Sequence, residues 1–406
     1  MKSIKHLEII LKTTERCNIN CDYCYVFNLH DSSYKERSAR INLDTIESLV
    51  TFTSQAISDY GIEVLDVILH GGEPLLMPRN HFIEICEKLK SFNSIQVNLA
   101  LQTNATLIDE SWVSIFEKYD IALGVSLDGP QEINDKHRVD HNEKGSFDKV
   151  IKGIEKLKDA ESQKRIRSFG LLCVIDPYES PSDILKFFTR ELSANSVSFL
   201  LPMDTHDTYN KKDVDKLSNY LINLFDSWVE EFENNNITIR IFSEIINTLT
   251  KDLKHLEQVS SKLDNSLMIG ISSDGEIIFD ELRGLNGISN NQNIKNHSLS
   301  QYISSEAFVK IEKQLETLPY ECAPCVWKGL CKGGVGLGAG ITRHSKLHQF
   351  KNKSILCDSF RALFAHIVNY LIASGFSVVE IERNLDFLGD SLIIQSQEVI
   401  NSVNLQ

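Results

Sequence analysis

Seven cysteines in two groups are the residues most able to do chemistry in this chain. Cys17, Cys21 and Cys24 follow a C-x3-C-x-Tyr-C spacing, with Tyr23 before the third, directly after an apolar run that reads as a strand. A zinc finger uses paired C-x2–4-C halves, which this group lacks. A ferredoxin run would supply a fourth cysteine. Three thiolates on one loop can hold three irons of a cubane and leave the fourth open, and a catalytic metal site needs an open position. The second group is Cys322-x2-Cys325-x5-Cys331, with Cys357 further on. Its spacing fits a zinc ribbon or a second iron–sulfur cluster. Cys86 and Cys173 fall in a helical and a strand pattern and read as core thiols.

Regular elements must hold these groups in place. Strand-like runs lie at Leu7–Lys12, Val64–Leu69, Gln96–Gln102, Ile121–Ser126, Ser168–Ile175 and Ser196–Leu200. Between them lie amphipathic stretches such as Leu43–Tyr60, His81–Phe92, Ser111–Tyr119, Phe147–Asp159 and Pro181–Leu192. This alternation predicts an α/β fold of parallel βαβ units with right-handed crossovers. Such a sheet gathers its active site at the C-terminal ends of its strands. The glycine and polar motifs stand at those ends: His70-Gly71-Gly72-Glu73-Pro74, Gln102-Thr103-Asn104, Ser126-Leu127-Asp128-Gly129-Pro130 and Leu200-Leu201-Pro202-Met203-Asp204. Glycines let the backbone approach a ligand, and a carboxylate such as Glu73 suits an ammonium.

A long polar helix is expected at Lys211–Asn235. Ser272-Ser273-Asp274-Gly275 then reads as a hairpin turn between Leu267–Ile271 and Glu276–Phe279. A loop-rich stretch follows at Asn286–Asn296. A boundary near residue 260 is expected, giving a core over 1–240, a smaller domain over 260–375 and a helical tail over 376–406. The 16 residues before Cys17 are too few for a separate peptide-binding module there.

The 42% apolar and 24% charged fractions are those of an ordinary globular protein. Lys and Arg total 42 against 56 Asp and Glu, a net charge of −14. That balance lacks the basic footprint of a nucleic-acid binder. No run approaches the roughly 18 apolar residues of a membrane span, and the N-terminus has no signal-peptide layout. A cytoplasmic protein is expected, its cysteines serving metal rather than disulfides.

CNINCDYC, read with the strand-end motifs, resembles the radical S-adenosylmethionine (SAM) superfamily over about residues 7–205. The resemblance implies a partial (β/α)6 TIM-like barrel. It also implies a [4Fe–4S] cluster on Cys17, Cys21 and Cys24 that cleaves SAM to a 5′-deoxyadenosyl radical. Tyr23 would pack near the adenine. Gly71, Gly72 and Glu73 would contact the methionine amino group, Asn104 and Ser126 would approach SAM, and Arg138 would pair with its carboxylate.

The second cysteine group is similar to the SPASM extension of radical SAM enzymes that modify peptides. There it carries auxiliary [4Fe–4S] clusters. Two-cluster members have G-x4-C in the hairpin, where Gly275 here leads to Asp280, and a cysteine where Val335 stands. One auxiliary cluster, on Cys322, Cys325, Cys331 and Cys357, is therefore expected. These departures resemble the maturases of ribosomal peptides (RiPPs) that form three-residue cyclophanes. The resemblance implies a carbon–carbon crosslink between an aromatic ring and a nearby β-carbon, with a precursor peptide as substrate and flavodoxin or ferredoxin as electron donor. Asp280 would be the base, with Glu281 as the alternative. A sulfatase-maturating enzyme that forms formylglycine is the other enzyme reading. A non-catalytic iron–sulfur or zinc scaffold is the reading from a different class.

Overall fold

The structure is a computed structural model and describes residues 3–29, 31–285, 288, 291–390 and 392–394. Part of the expected Asn286–Asn296 loop and most of the tail beyond residue 390 lie outside them.

Among the described residues nine strands follow in chain order: β1 (His6–Thr14), β2 (Val64–Gly71), β3 (Gln96–Thr103), β4 (Ile121–Ser126), β5 (Gly170–Val174), β6 (Ser196–Leu200), β7 (Thr238–Ile239), β8 (Ser266–Ile271) and β9 (Ile277–Ile278). Helices Leu43–Tyr60, Arg79–Lys90, Glu110–Tyr119, Phe147–Ser162 and Pro181–Lys186 separate the first six. The α/β class and the parallel sheet are as the alternation predicts. The last helix stops short of Leu192 because Phe187–Glu191 continues it as a π-turn.

Two compact units form. The first comprises residues 1–173 and 261–309, the second 174–260 and 310–406. In the first, the strand order is β5-β4-β3-β2-β1-β8-β9. β1 through β5 are mutually parallel, and β8 runs parallel to β1 on its other side. The expected boundary near 260 thus marks where the chain returns to the first unit, and residues 261–309 pack there. The cause is the hairpin's first strand, which pairs with β1 from His6↔Ser266 to Leu11↔Ile271 and so covers an edge that would otherwise stay unpaired.

β1 explains its own role. Leu7, Ile9 and Leu11 are fully buried on one face, each worth about 1.5–3 kcal/mol of hydrophobic burial. The alternate residues His6, Glu8, Ile10 and Lys12 face the other way. Helix Leu43–Tyr60 begins at Asn42, whose side chain accepts from Thr45 N, and ends at Gly61 in the left-handed region.

In the second unit β6 and β7 pair in parallel. The long helix Lys211–Asn235 forms as expected and packs against Cys357–Ala373. No helix among the described residues is long and apolar enough to cross a membrane.

Candidate active site

The loop leaving β1 carries the first three cysteines. Cys21 is buried, and Cys17 and Cys24 are half-buried. Backbone bonds from Cys24 N to Cys21 O (3.1 Å) and from Asn28 N to Cys24 O (2.8 Å) tighten the loop. Burial pushes the Cys17 thiol up to about 12, and Glu73 adds to it. Burial pushes Cys21 up to about 11, although Arg138 opposes it. Such thiols become thiolates only against bound cations, a demand that a metal centre meets. Asn104 Nδ2 lies 3.7 Å from Cys17 Sγ, placed to donate to that sulfur. Among the described residues no three cysteine sulfurs lie within 4.8 Å of one another. A single zinc with sulfurs at about 2.3 Å would draw them closer than that.

The glycines serve this loop directly. Gly71 has φ +135°, and a Cβ on it would lie 2.1 Å from Thr14 O. A Cβ on Gly72 would lie 2.1 Å from Arg16 O and 2.9 Å from Cys17 N. The missing side chains let the end of β2 close against the root of the cysteine loop. Glu73 is buried, and its carboxylate accepts from Leu75 N (3.0 Å), Thr103 Oγ1 (2.7 Å) and Asn104 N (2.8 Å). It ties the ends of β2 and β3 together, and burial raises its pKa against those donors.

Tyr23, Asp128 and Arg138 form a second cluster. The Tyr23 hydroxyl donates to Asp128 and accepts from Arg138 Nη1 at 2.9 Å. Arg138 is only 5% exposed, so it is not a solvated loop charge. Among the described residues its Nε has no hydrogen-bond partner, a buried donor that asks for an acceptor. Ser126 Oγ accepts from Gln102 Nε2 at 2.7 Å. The structure thus brings Tyr23, Gly71, Gly72, Glu73, Asn104, Ser126 and Arg138 to the C-terminal ends of β1–β4 and the segments that follow them.

Asp280 stands in a buried network that the sequence did not announce. Lys12 Nζ lies 2.7 Å from its Oδ1 and 2.9 Å from its Oδ2, and Tyr25 OH donates to Oδ2 at 2.8 Å. Burial alone would push this carboxyl up, but Lys12, with Arg283 further off, outweighs it and holds the group below its usual range. Arg283 also pairs with Asp31 (2.8 Å) and Glu15 (3.4 Å). Lys12 had a visible signal: a lysine on the polar face of a strand, five residues before Cys17. Tyr25 and His70 had none beyond their neighbours.

The second unit holds the other four cysteines. Cys322, Cys325, Cys331 and Cys357 all line one cavity of about 320 Å³, with Trp327, Phe360 and the cations Lys353 and Arg361. Cys331 ends helix Lys328–Cys331, and Cys357 starts Cys357–Ala373. Burial pushes Cys322 up to about 11 and Cys331 up to about 12. After Cys331 the chain turns through three left-handed residues, Lys332, Gly333 and Gly334. Buried Arg343 donates to the carbonyls of Gln314, Leu315, Thr317 and Phe350 and so braces the neighbouring segments. A roomy cavity lined by four thiols fits an iron–sulfur cluster better than one compact zinc ion.

Comparison with known proteins gives three results. Residues 11–190 match the family model of the radical SAM superfamily. The cysteine-type anaerobic sulfatase-maturating enzyme of Clostridium novyi is 25% identical over 385 residues, covering 91% of this chain and 97% of that enzyme. The fold matches native anSMEcpe with bound AdoMet (TM-score 0.75, 24% identity, 91% of this chain and 98% of that one). It also matches Streptococcus suis SuiB bound to precursor peptide SuiA (TM-score 0.58, 19% identity, 88% and 76%).

Proposed function

We propose that this chain, whose residues 11–190 match the radical SAM family model, oxidises a side chain within a peptide. The observation that carries the reading is the likeness, over nearly its whole length, to a sulfatase-maturating enzyme. A [4Fe–4S] cluster with SAM supplies a 5′-deoxyadenosyl radical; the protein's share is to bind, orient and shield. Cys17, Cys21 and Cys24 would hold that cluster, with Asn104 donating to the Cys17 sulfur. Gly71, Gly72 and Glu73 would shape the side facing the methionine amino group. Tyr23 and Ser126 would border SAM, and Arg138 would offer its unpartnered Nε to a carboxylate. Cys322, Cys325, Cys331 and Cys357 would hold one auxiliary [4Fe–4S] cluster as electron acceptor. Asp280 would take the proton that the substrate loses. Residues 1–240 would be the catalytic core, 260–375 the auxiliary-cluster region and 376–406 a tail. A protein such as flavodoxin or ferredoxin would deliver the electron.

Oxidation of Cys or Ser to formylglycine is the first reading, because the relatives matched over most of their length include cysteine-type and serine-type sulfatase-maturating enzymes. A cyclophane crosslink is the second, favoured by Asp280 standing where two-cluster maturases carry a hairpin cysteine. The test gives anaerobically reconstituted protein, dithionite and SAM to two peptides, one of sulfatase type and one with an aromatic-x-x repeat. Capture of an aldehyde by a hydrazide supports the first reading. A product short of two hydrogens and without aldehyde supports the second. Release of 5′-deoxyadenosine with both peptides unchanged counts against a peptide substrate.

A further inference from the structure

We infer that Lys12 is a positioning residue for proton transfer, clamping Asp280 together with Tyr25 so that its carboxylate is fixed in place to accept a proton. The inference rests on Asp280 as the proton acceptor proposed above.

Lys12 is completely buried at the end of β1. A buried ammonium is costly to keep unless geometry repays it, and here the partner is 268 residues away in sequence. The two oxygens of Asp280 are treated differently. Oδ2 accepts from both Lys12 (2.9 Å) and Tyr25 (2.8 Å). Oδ1 lies 2.7 Å from Lys12 Nζ, so the ammonium spans both oxygens while Tyr25 reaches only Oδ2. Lys12 is itself aimed by two further contacts, Tyr25 OH at 2.9 Å and His70 Nδ1 at 3.4 Å. His70 is neutral: burial, then Lys12, holds it down to about 3, and its Nδ1 accepts from Gly71 N at 2.7 Å.

The groups facing Asp280 are therefore Lys12 from β1, His70 from β2, Tyr25 from the cysteine loop and Arg283 from its own turn. Arg283 Nη1 stays 4.0 Å away, and its other nitrogens are committed to Asp31 and Glu15. Lys12 is the close cation. In the step it serves, the substrate carbon radical loses one electron to an iron–sulfur acceptor and one proton to the Asp280 carboxylate, leaving a protonated carboxyl and an oxidised substrate. A carbon radical giving up its electron is a strong acid, so the base need not be strong. It must be ionised in a dry site, and burial without Lys12 would protonate it.

The test measures the ratio of oxidised peptide to 5′-deoxyadenosine against pH for the full reconstituted chain. Wild type should be flat between about pH 8 and pH 6, because the carboxyl is held ionised across that range. Lys12→Met should make the ratio fall at least about 10-fold toward pH 6, and Tyr25→Phe should lower it with less pH dependence. A flat, wild-type ratio in Lys12→Met overturns the inference. Asp280→Asn at the wild-type ratio overturns the base reading itself, which separates the two failures. Thermal midpoints of the metal-free proteins give a readout independent of turnover. Lys12→Met alone should melt lower and Lys12→Met/Asp280→Asn should recover; no loss in the single variant would count against the clamp.

Discussion

At the scale of single residues, the two strand-end glycines have a mechanical meaning. Gly72 touches the backbone of Arg16 and Cys17, so any side chain there displaces the cysteine loop. Gly72→Ala should therefore lose the N-terminal cluster and keep the other. Reconstituted iron should drop from about eight to about four per chain, measured with acid-labile sulfide. Full iron in that variant would contradict the loop contact. Arg343 makes a parallel case in the second unit. Arg343→Met would strand four carbonyls, at about 1–3 kcal/mol for each one left unsatisfied. A large drop in thermal midpoint and loss of auxiliary iron are expected; an unchanged midpoint would refute the brace. The three clustered cysteines, the glycines and Glu73 could be picked out as candidates because their types and spacing are local. Glu73 was read as a partner for an ammonium, and its three protein donors were invisible, since two come from the end of β3 and the residue after it.

At the scale of elements, the six alternating strands were legible because period-2 burial repeats within each run. β1 shows it in Leu7, Ile9 and Leu11. Strand ends were placed to within a few residues. The return of β8 to the edge of β1 was not legible, because strand pairing across some 260 residues leaves no mark in local pattern. The same is true of Lys12 and Asp280, which that pairing brings together. The pairing also makes a pH prediction. Burial pushes Asp31 up, yet the Ser33 hydrogen bonds and Arg283 outweigh it, and Asp280 is likewise held low. Both folded pKa values are depressed, so their stabilisation is complete above the ordinary carboxylate pKa of about 4 and is lost as pH falls below it. The thermal midpoint should be level from about pH 7 to pH 5 and fall below about pH 4. Asp280→Asn should flatten that acid limb; an acid limb as steep as wild type would show the charge pair contributes nothing.

At the scale of the whole molecule, two cysteine groups occupy two separately packed units, and each has its own fit to iron and sulfur. The likeness to sulfatase-maturating enzymes runs through both. It moves formylglycine formation ahead of crosslinking, a ranking that the hairpin substitution at Asp280 had reversed. The central claim is that the chain cleaves SAM at the N-terminal cysteine loop. Its most direct test is 5′-deoxyadenosine release from SAM under dithionite, comparing reconstituted wild type with Cys17/Cys21/Cys24→Ala. The account predicts steady release from wild type and none from the variant. No release from wild type carrying a full complement of iron would contradict it and leave an iron–sulfur scaffold in its place.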